Sequence, residues 1–343
     1  MRKLIFAMLV FIFLCLYNSP LALTAAKDSL LLWSNSVVPA LFPFFIASQV
    51  LYYAGGATFL ARFTAPLMRI FSLPAQGGYA LVMSILCGYP TGSKICALMY
   101  EEKQLSGEQC RGLSVLCHTS GPVFICGTLA SSLLGKPQLG GAIVIIHICA
   151  AFLTGMIFNF SHSLPPHCTQ ASSAPPNEQM GKLLAKATSS AISSILLICG
   201  YMVFFGIIIK FAMYYCAPLL ALLPQSIKAN IAALLAGSIE VTQGLSIITG
   251  TNSSFQLPLI CFMLSFSGMC IIMQSLAFLP SEHINILYFL KARLVCAIIA
   301  FLLCLLYEKT VIATPVILTV FLCVSSLAYK TVKMKNSVTP FTG

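Results

Sequence analysis

The sequence predicts an all-α, polytopic membrane protein, and three observations carry that prediction. Of its 343 residues, 59% are hydrophobic and only 8% are charged, whereas soluble domains carry about 25% charged residues. The mean hydropathy is +0.95. The apolar residues also form runs of about 20 residues, the length at which a helix crosses about 30 Å of hydrocarbon. No alternating barrel pattern is visible, so backbone hydrogen bonding within lipid requires helices.

Ten such runs follow one another along the chain. They lie near 4–23, 37–54, 77–99, 113–134, 138–160, 188–209, 230–250, 257–279, 287–307 and 311–329. The first run follows Arg2 and Lys3 and ends in Thr24-Ala25-Ala26, a pattern that also fits a cleaved signal peptide. We favour a retained transmembrane helix over 1–26, because all that follows is predicted to be embedded in the membrane.

Two internal repeats are predicted, 27–160 and 183–307, joined by a polar, proline-containing linker over 161–182 and followed by a C-terminal helix and basic cytoplasmic tail over 308–343. Short matches recur in the same order in both halves. They pair Ala65-Pro66-Leu67 with Ala217-Pro218-Leu219, Leu73-Pro74 with Leu223-Pro224, Gly88 with Gly237, and Ser120-Gly121 with Ser267-Gly268. Two halves that enclose a site are the plan of many transporters.

Two apolar runs of the first half contain residues that do not suit a lipid-facing helix. The run 77–99 is interrupted by Gly88-Tyr89-Pro90-Thr91-Gly92-Ser93-Lys94, and 113–134 by His118-Thr119-Ser120-Gly121-Pro122. Proline removes a helical donor, and glycine permits backbone outside the helical region. Unpaired backbone groups at membrane depth are tolerated only inside protein or beside a watery cavity.

The second half is interrupted at corresponding positions. Gly237-Ser238-Ile239-Glu240-Val241-Thr242-Gln243-Gly244 breaks 230–250, Ser265-Phe266-Ser267-Gly268 breaks 257–279, and Gln274 follows. Paired breaks of this kind indicate a transport site. Half-helix N-termini offer N–H groups and a positive dipole end to a carboxylate or phosphate, and unwound carbonyls can bind a cation or a hydroxyl.

Four ionisable residues at or near these breaks each have a functional and a structural interpretation. Lys94 meets an anionic substrate or snorkels to the surface. Glu240, the sole acid within an apolar run, is a substrate, proton or ion site, or a helix-end carboxylate. His118 is a proton carrier or a hydrogen-bonded packing histidine. His147 lies in mid-helix with no partner evident from the sequence.

The charge pattern leaves two topologies open. Either all ten runs cross the membrane, which makes the repeats parallel, or 77–99 and 230–250 are re-entrant hairpins. In the second case about eight helices cross and the repeats are inverted. Both models place the excess of Lys and Arg, and both termini, in the cytoplasm.

The composition also excludes several classes of protein. The 19 Lys and Arg against 8 Asp and Glu give a net charge of +11, which in a membrane protein indicates contact with anionic lipid and not with nucleic acid. The 15 cysteines form no C-x-x-C pair, so neither disulfides nor a metal site are expected. Without H-E-x-x-H, G-x-S-x-G or P-loop motifs, we expect no enzymatic activity and no cofactor.

In their order, these motifs resemble the YlbJ-type sporulation integral membrane proteins, which belong with the nucleoside-recognition, or Gate, group. The resemblance covers roughly 30–310 and is most specific in the stretch from Gly88 to Lys94. Gate-type relatives, such as concentrative nucleoside transporters, pair a re-entrant hairpin with a broken helix in each inverted repeat. The resemblance therefore favours the hairpin topology.

The resemblance also implies a function. The family acts in the mother cell of endospore-forming bacteria and is implicated in moving dipicolinic acid, a small aromatic dicarboxylate, through the outer forespore membrane. We therefore expect a multi-pass carrier of a small organic anion that works by alternating access, with Tyr89 able to stack on the solute. The predicted substrate-binding residues are Gly88, Tyr89, Pro90, Thr91, Gly92, Ser93, Lys94, Thr119, Ser120, Gly121, Glu240, Thr242, Gln243, Ser267, Gly268 and Gln274.

The sequence offers candidates for coupling, for an alternative solute and for an alternative function. Glu240 and His118 are the candidates for proton or ion coupling. A nucleoside or other neutral metabolite is the alternative solute, recognised by Thr91, Ser120, Thr242 and Gln243, and a non-transporting role in spore-envelope assembly is the alternative function. Membrane lipid is an expected partner, and the chain is also a candidate for homo-oligomerisation.

Overall fold

The computed structural model describes residues 2–159, 180–251 and 253–337, and no strand occurs in that part of the chain. The predicted linker, up to residue 179, and the last six residues of the tail lie outside it. The α-helices are α1 (Arg2–Tyr17), α2 (Ser19–Leu32), α3 (Val38–Leu51), α4 (Ala57–Ile70), α5 (Gly78–Cys87), α6 (Thr91–Glu101), α7 (Gly107–Leu116), α8 (Gly140–Asn159), α9 (Met180–Ala221), α10 (Gln225–Ile239), α11 (Val241–Thr249), α12 (Gln256–Phe266), α13 (Gly268–Phe278), α14 (Ile286–Lys309) and α15 (Ala313–Ser337). A π-helix (Val123–Leu133) lies between α7 and α8.

The structure is that of a multi-pass membrane protein, as the composition predicts. Five helical stretches in the described residues are long and apolar enough to cross a bilayer: Ser19–Ile70, Pro137–Asn159, Met180–Ala221, Gln256–Phe278 and Ile286–Lys309. Large apolar side chains such as Phe6, Phe63 and Leu219 are exposed, as expected where lipid is the solvent. The number of crossings and the internal duplication stay predictions.

The helices do not follow every predicted run. The run 188–209 is only the middle of α9, which is 42 residues long. Lys210 ends the apolar run in the sequence but not the helix, because lysine is a good helix former. The run 4–23 is divided between α1 and α2, which meet at Asn18.

The chain reverses direction at two of the four interruptions. A Cβ atom at Gly244 would overlap the backbone of Gly237, seven residues earlier, and α10 packs beside α11. Seven residues of straight helix span about 10 Å, so this contact requires a turn at Glu240. In the first half, a Cβ atom at Gly92 would lie 2.7 Å from the side chain of Ser84, and α5 packs beside α6. Each pair of helices is a hairpin.

At the interruption between α12 and α13 the helix breaks, but the chain continues in the same direction. Helices α12 and α13 share the apolar span Gln256–Phe278, and the break between them has left-handed backbone at Ser267 (φ 71°) and Gly268 (φ 76°). In the first half, α7 ends at Leu116 and the π-helix begins at Val123. A hairpin followed by a broken helix therefore occurs twice, in the order that the resemblance implies.

The base of the first hairpin is fastened to the loop between α13 and α14. The Tyr100 hydroxyl donates a hydrogen bond of 3.0 Å to Glu282, and its ring meets that of His283 edge-on at 5.6 Å. The pKa of Glu282 is held below its ordinary value by its own backbone amide and by Tyr100. This clasp joins the two halves on the surface, outside the spanning segments.

The close approach of the second hairpin's arms gives a test of the fold. We expect Gly244→Ala to lower the unfolding free energy by about 1–3 kcal/mol, the usual cost of overpacking, because the added methyl group meets backbone and not a movable side chain. Gly141→Ala in α8 is the matched control, since no atom lies within 4 Å of its Cβ position. Thermal unfolding of the two variants in detergent measures the difference, and equal melting temperatures would contradict the hairpin packing.

Candidate functional site

Three of the four interruptions line one cavity of about 390 Å³, which we call the tip cavity, and residues of α13, just after the fourth interruption, also line it. Ligand pockets usually hold about 300–1,000 Å³. The predicted site residues that line it are Gly88, Tyr89, Pro90, Ser120, Gly121, Glu240, Thr242, Gln243 and Gln274. Residues from both halves, some 150 positions apart, thus face the same space.

Glycine contacts hold each hairpin tip against the broken helix of its own half. Gly88 has a φ of 80°, and its Cβ position lies 2.6 Å from the backbone nitrogen of Gly121. Gly268 has a φ of 76°, and its Cβ position lies 2.9 Å from the carbonyl oxygen of Gly237. A side chain at either position would meet backbone, so these two contacts require glycine.

Four helices begin at the interruptions, beside the tip cavity. They are α6, the π-helix, α11 and α13, and residues at or near the start of each line the cavity. No side chain caps the N-terminus of α6, of the π-helix or of α13. An uncapped helix N-terminus carries a partial positive charge and N–H donors suited to an anion.

Glu240 caps the fourth of these helices. Its carboxylate accepts hydrogen bonds from the backbone N–H groups of Thr242 (3.1 Å) and Gln243 (2.9 Å), and from the Thr242 hydroxyl. Glu240 is therefore a helix-end carboxylate. Its half-buried side chain also lines the tip cavity. It is the single carboxylate in that lining, which holds no cationic side chain.

Two buried histidines connect the broken helix of the first half to that of the second. The backbone N–H of Ser120 donates to His147 Nε2 (2.9 Å), so Nδ1 carries the proton toward Ser265 (2.8 Å). His147 therefore has partners that the sequence does not reveal. The tautomer follows from the hydrogen-bond network.

The second histidine, His118, is bonded on both nitrogens. The Ser267 hydroxyl donates to the Phe266 carbonyl, so its oxygen accepts a hydrogen bond from His118 Nε2 (2.8 Å). The Ser275 hydroxyl donates to His118 Nδ1 (3.1 Å). The ring also stacks on Tyr89 at 5.1 Å between centroids. Because both nitrogens are engaged inside the protein, the packing interpretation of His118 fits its surroundings better than proton carriage.

A functional candidate that the sequence analysis missed is Arg293, which is 0% exposed in the middle of α14. Its guanidinium donates to the carbonyl oxygens of His118 (3.0 Å) and Val115 (2.6 Å). These carbonyls lie where α7 ends, so Arg293 satisfies backbone groups that the break leaves unpaired. An arginine within an apolar run is the signal that could have identified it.

Several predicted residues lie behind the cavity and not in its lining. Lys94 donates to the Ser190 carbonyl (3.0 Å) and to the Ser194 hydroxyl (2.6 Å), and its ammonium lies 4.9 Å from the centre of the Phe45 ring. The lysine thus joins the first hairpin to α9 and α3. The other residues outside the lining are Thr91, Gly92, Ser93, Thr119, Ser267 and Gly268.

No group of three or more His, Cys, Asp or Glu side chains in the described residues could hold a metal ion. The cysteines in that part of the chain are all free. The chemistry that the site offers is that of hydrogen bonds, helix dipoles, one carboxylate and the aromatic rings of Phe44, Tyr89 and Phe124.

The role of Arg293 can be tested through stability. We expect Arg293→Met to lower the unfolding free energy by about 1.5–3 kcal/mol or more, because it leaves two buried carbonyls without donors. Lys291→Met, an exposed position on the same helix, is the control and should change stability by no more than about 0.5 kcal/mol. An equal change in melting temperature for both variants would show that the carbonyls do not depend on the arginine.

Comparison with known proteins agrees with this structure. Residues 35–135, which hold the first hairpin and the first broken helix, match the family model Gate, nucleoside recognition. The chain is 25% identical over 315 residues to the sporulation integral membrane protein YlbJ of Bacillus subtilis (strain 168), with 83% of this chain and 77% of that protein covered. No solved structure matches the chain. The protein is therefore a multi-pass membrane protein that carries a Gate domain, and its similarity to a sporulation integral membrane protein confirms the resemblance seen in its motifs.

Proposed function

We propose that this protein is a membrane transporter that binds a small organic anion in the tip cavity and moves it by alternating access, without enzymatic chemistry and without a cofactor. The observation that carries the proposal is the convergence of four half-helix N-termini, three of them uncapped, on one cavity between the two halves. Sites of this form, at interrupted helices between two halves, are typical of secondary transporters.

The proposed solute is dipicolinic acid. Its two carboxylates suit the N–H groups at the starts of α6, the π-helix and α13. Tyr89 lines the cavity, and the ring of His118 stacks on its ring. We propose that the face of the Tyr89 ring away from His118 stacks on the aromatic solute. Similarity to a sporulation protein supports a place in the outer forespore membrane, where this acid must pass.

Glu240 indicates how such transport would be coupled. A second carboxylate beside Glu240 is repelled unless Glu240 is protonated or a cation lies between them. We therefore propose that a proton or a cation binds with the solute at Glu240. His118 is the weaker candidate, because neither of its nitrogens faces the cavity unbonded.

A nucleoside is the second candidate solute, and two observations favour it. The matched family model is described as nucleoside recognition. The cavity also presents neutral polar side chains, Gln243, Gln274 and Thr242, beside Glu240, a set that suits ribose hydroxyls and a base edge. A non-transporting role in the spore envelope, with the chain as a homo-oligomer, is the alternative if neither solute is moved.

Reconstituted protein in liposomes tests the proposal directly. We expect uptake of labelled dipicolinate, and about a tenfold or greater rise in KM for Tyr89→Ala, because an aromatic contact and its buried area are lost. Tyr89→Phe keeps the ring and should keep the KM. Uridine in the same assay separates the two solutes: competition by uridine with no uptake of dipicolinate would select the nucleoside.

The coupling is tested by the same assay with imposed gradients. We expect collapse of either the proton or the sodium gradient to slow the uptake of dipicolinate, and Glu240→Gln to remove that dependence. Glu101→Gln, an exposed acid at the end of α6, is the control and should keep it. Uptake by Glu240→Gln that still responds to the gradient in full would place the coupling site elsewhere.

A further inference from the structure

A second cavity, of about 500 Å³, lies beside the tip cavity. Its walls are residues of α2 and of the middle of α9, together with Glu240 and Gln243 from the tip of the second hairpin. Nothing in the sequence motifs or in the family match, which covers 35–135, assigns a role to this space.

The two cavities share part of their lining. Leu32, Met202, Glu240 and Gln243 line both, so these four shared residues lie between the two spaces. Two of the four are apolar, and one of these is a methionine, an unbranched side chain with three rotatable bonds that repacks readily. A side-chain movement at Met202 could therefore open one space to the other.

An ion pair lies in the second cavity. Lys210 of α9 and Asp28 of α2 are 3.9 Å apart, with their side chains 46% and 62% exposed. That distance exceeds the range of a hydrogen bond, so the ammonium is near the carboxylate without being bonded to it. Lys210 follows the apolar run 188–209, and Asp28 lies between the apolar runs 4–23 and 37–54, so both charges lie at the edges of apolar segments, where an anion from water can reach them.

We propose that the second cavity is the vestibule through which an organic anion reaches the tip cavity, with Lys210 as its carboxylate-binding residue and Leu32 and Met202 as the constriction. The proposal rests on the proposed function as an anion transporter. It supplies the cation that the tip cavity lacks, since Lys94 is bound to α9 whereas Lys210 lines a cavity that Glu240 also lines.

The ion pair predicts opposite changes in KM for the two variants that remove a charge, a result that a purely structural role would not produce. Asp28 competes with the solute for Lys210, so removing one charge should act opposite to removing the other. Lys210→Met should raise the KM for dipicolinate about tenfold or more, as for the loss of one charge-assisted contact. Asp28→Asn should lower that KM, Lys210→Arg should keep it, and kcat should change little in all three.

The experiment measures initial rates of labelled dipicolinate and of labelled uridine uptake by the full chain in liposomes, with melting temperatures for each variant. A neutral solute should not respond to Lys210→Met. For the constriction, Met202→Trp should lower kcat, whereas Leu196→Trp on the lipid-facing side of the same helix, 58% exposed, should not.

The outcomes distinguish the vestibule proposal from the proposed transport function on which it rests. If the wild type transports dipicolinate while Lys210→Met and Asp28→Asn leave its KM unchanged, or shift it in the same direction, the vestibule is wrong and the transport function stands. A wild type that neither binds nor transports dipicolinate overturns both. Should Lys210→Met fail to fold, the fall in KM expected for Asp28→Asn decides the matter.

Discussion

The structure depends on the need to satisfy backbone polar groups wherever a helix is broken at membrane depth. An N–H or carbonyl group left unpaired in hydrocarbon costs several kcal/mol, so each interruption must be enclosed by protein. Here the breaks enclose one another: glycine contacts join Gly88 to Gly121 and Gly268 to Gly237, and the first of these pairs lines the tip cavity together with Glu240.

Side chains from distant segments complete that enclosure. Arg293 binds the carbonyls at the end of α7, His147 accepts the N–H of Ser120, and both histidines reach serines of the second broken helix. These groups belong to both halves, so the network fixes the position of one half against the other. A carrier that moves one half against the other must break this network or move it as a unit.

Local features of the structure could be predicted from the sequence, and features that depend on packing could not. The breaks at the tip of the first hairpin and between α12 and α13 follow from Gly88, Pro90 and Gly268, because glycine and proline act on their own backbone. Gly237 lies inside α10, and the second hairpin turns at Glu240. The partner of Lys94 lies about 100 residues away on α9, and no local pattern reveals it. The carbonyls that Arg293 binds lie 175 and 178 residues earlier in the chain, and the second cavity exists because α2 lies beside α9 and the second hairpin. The internal duplication, the number of crossings and the solute stay predictions.

A structure of the protein with dipicolinate bound would show whether the solute lies among the helix interruptions. We expect density for the acid in the tip cavity, with its ring against Tyr89 and a carboxylate at the start of α6, the π-helix or α13. Density for the acid at a site that touches none of these helix starts, in protein shown to transport it, would show that the solute binds elsewhere.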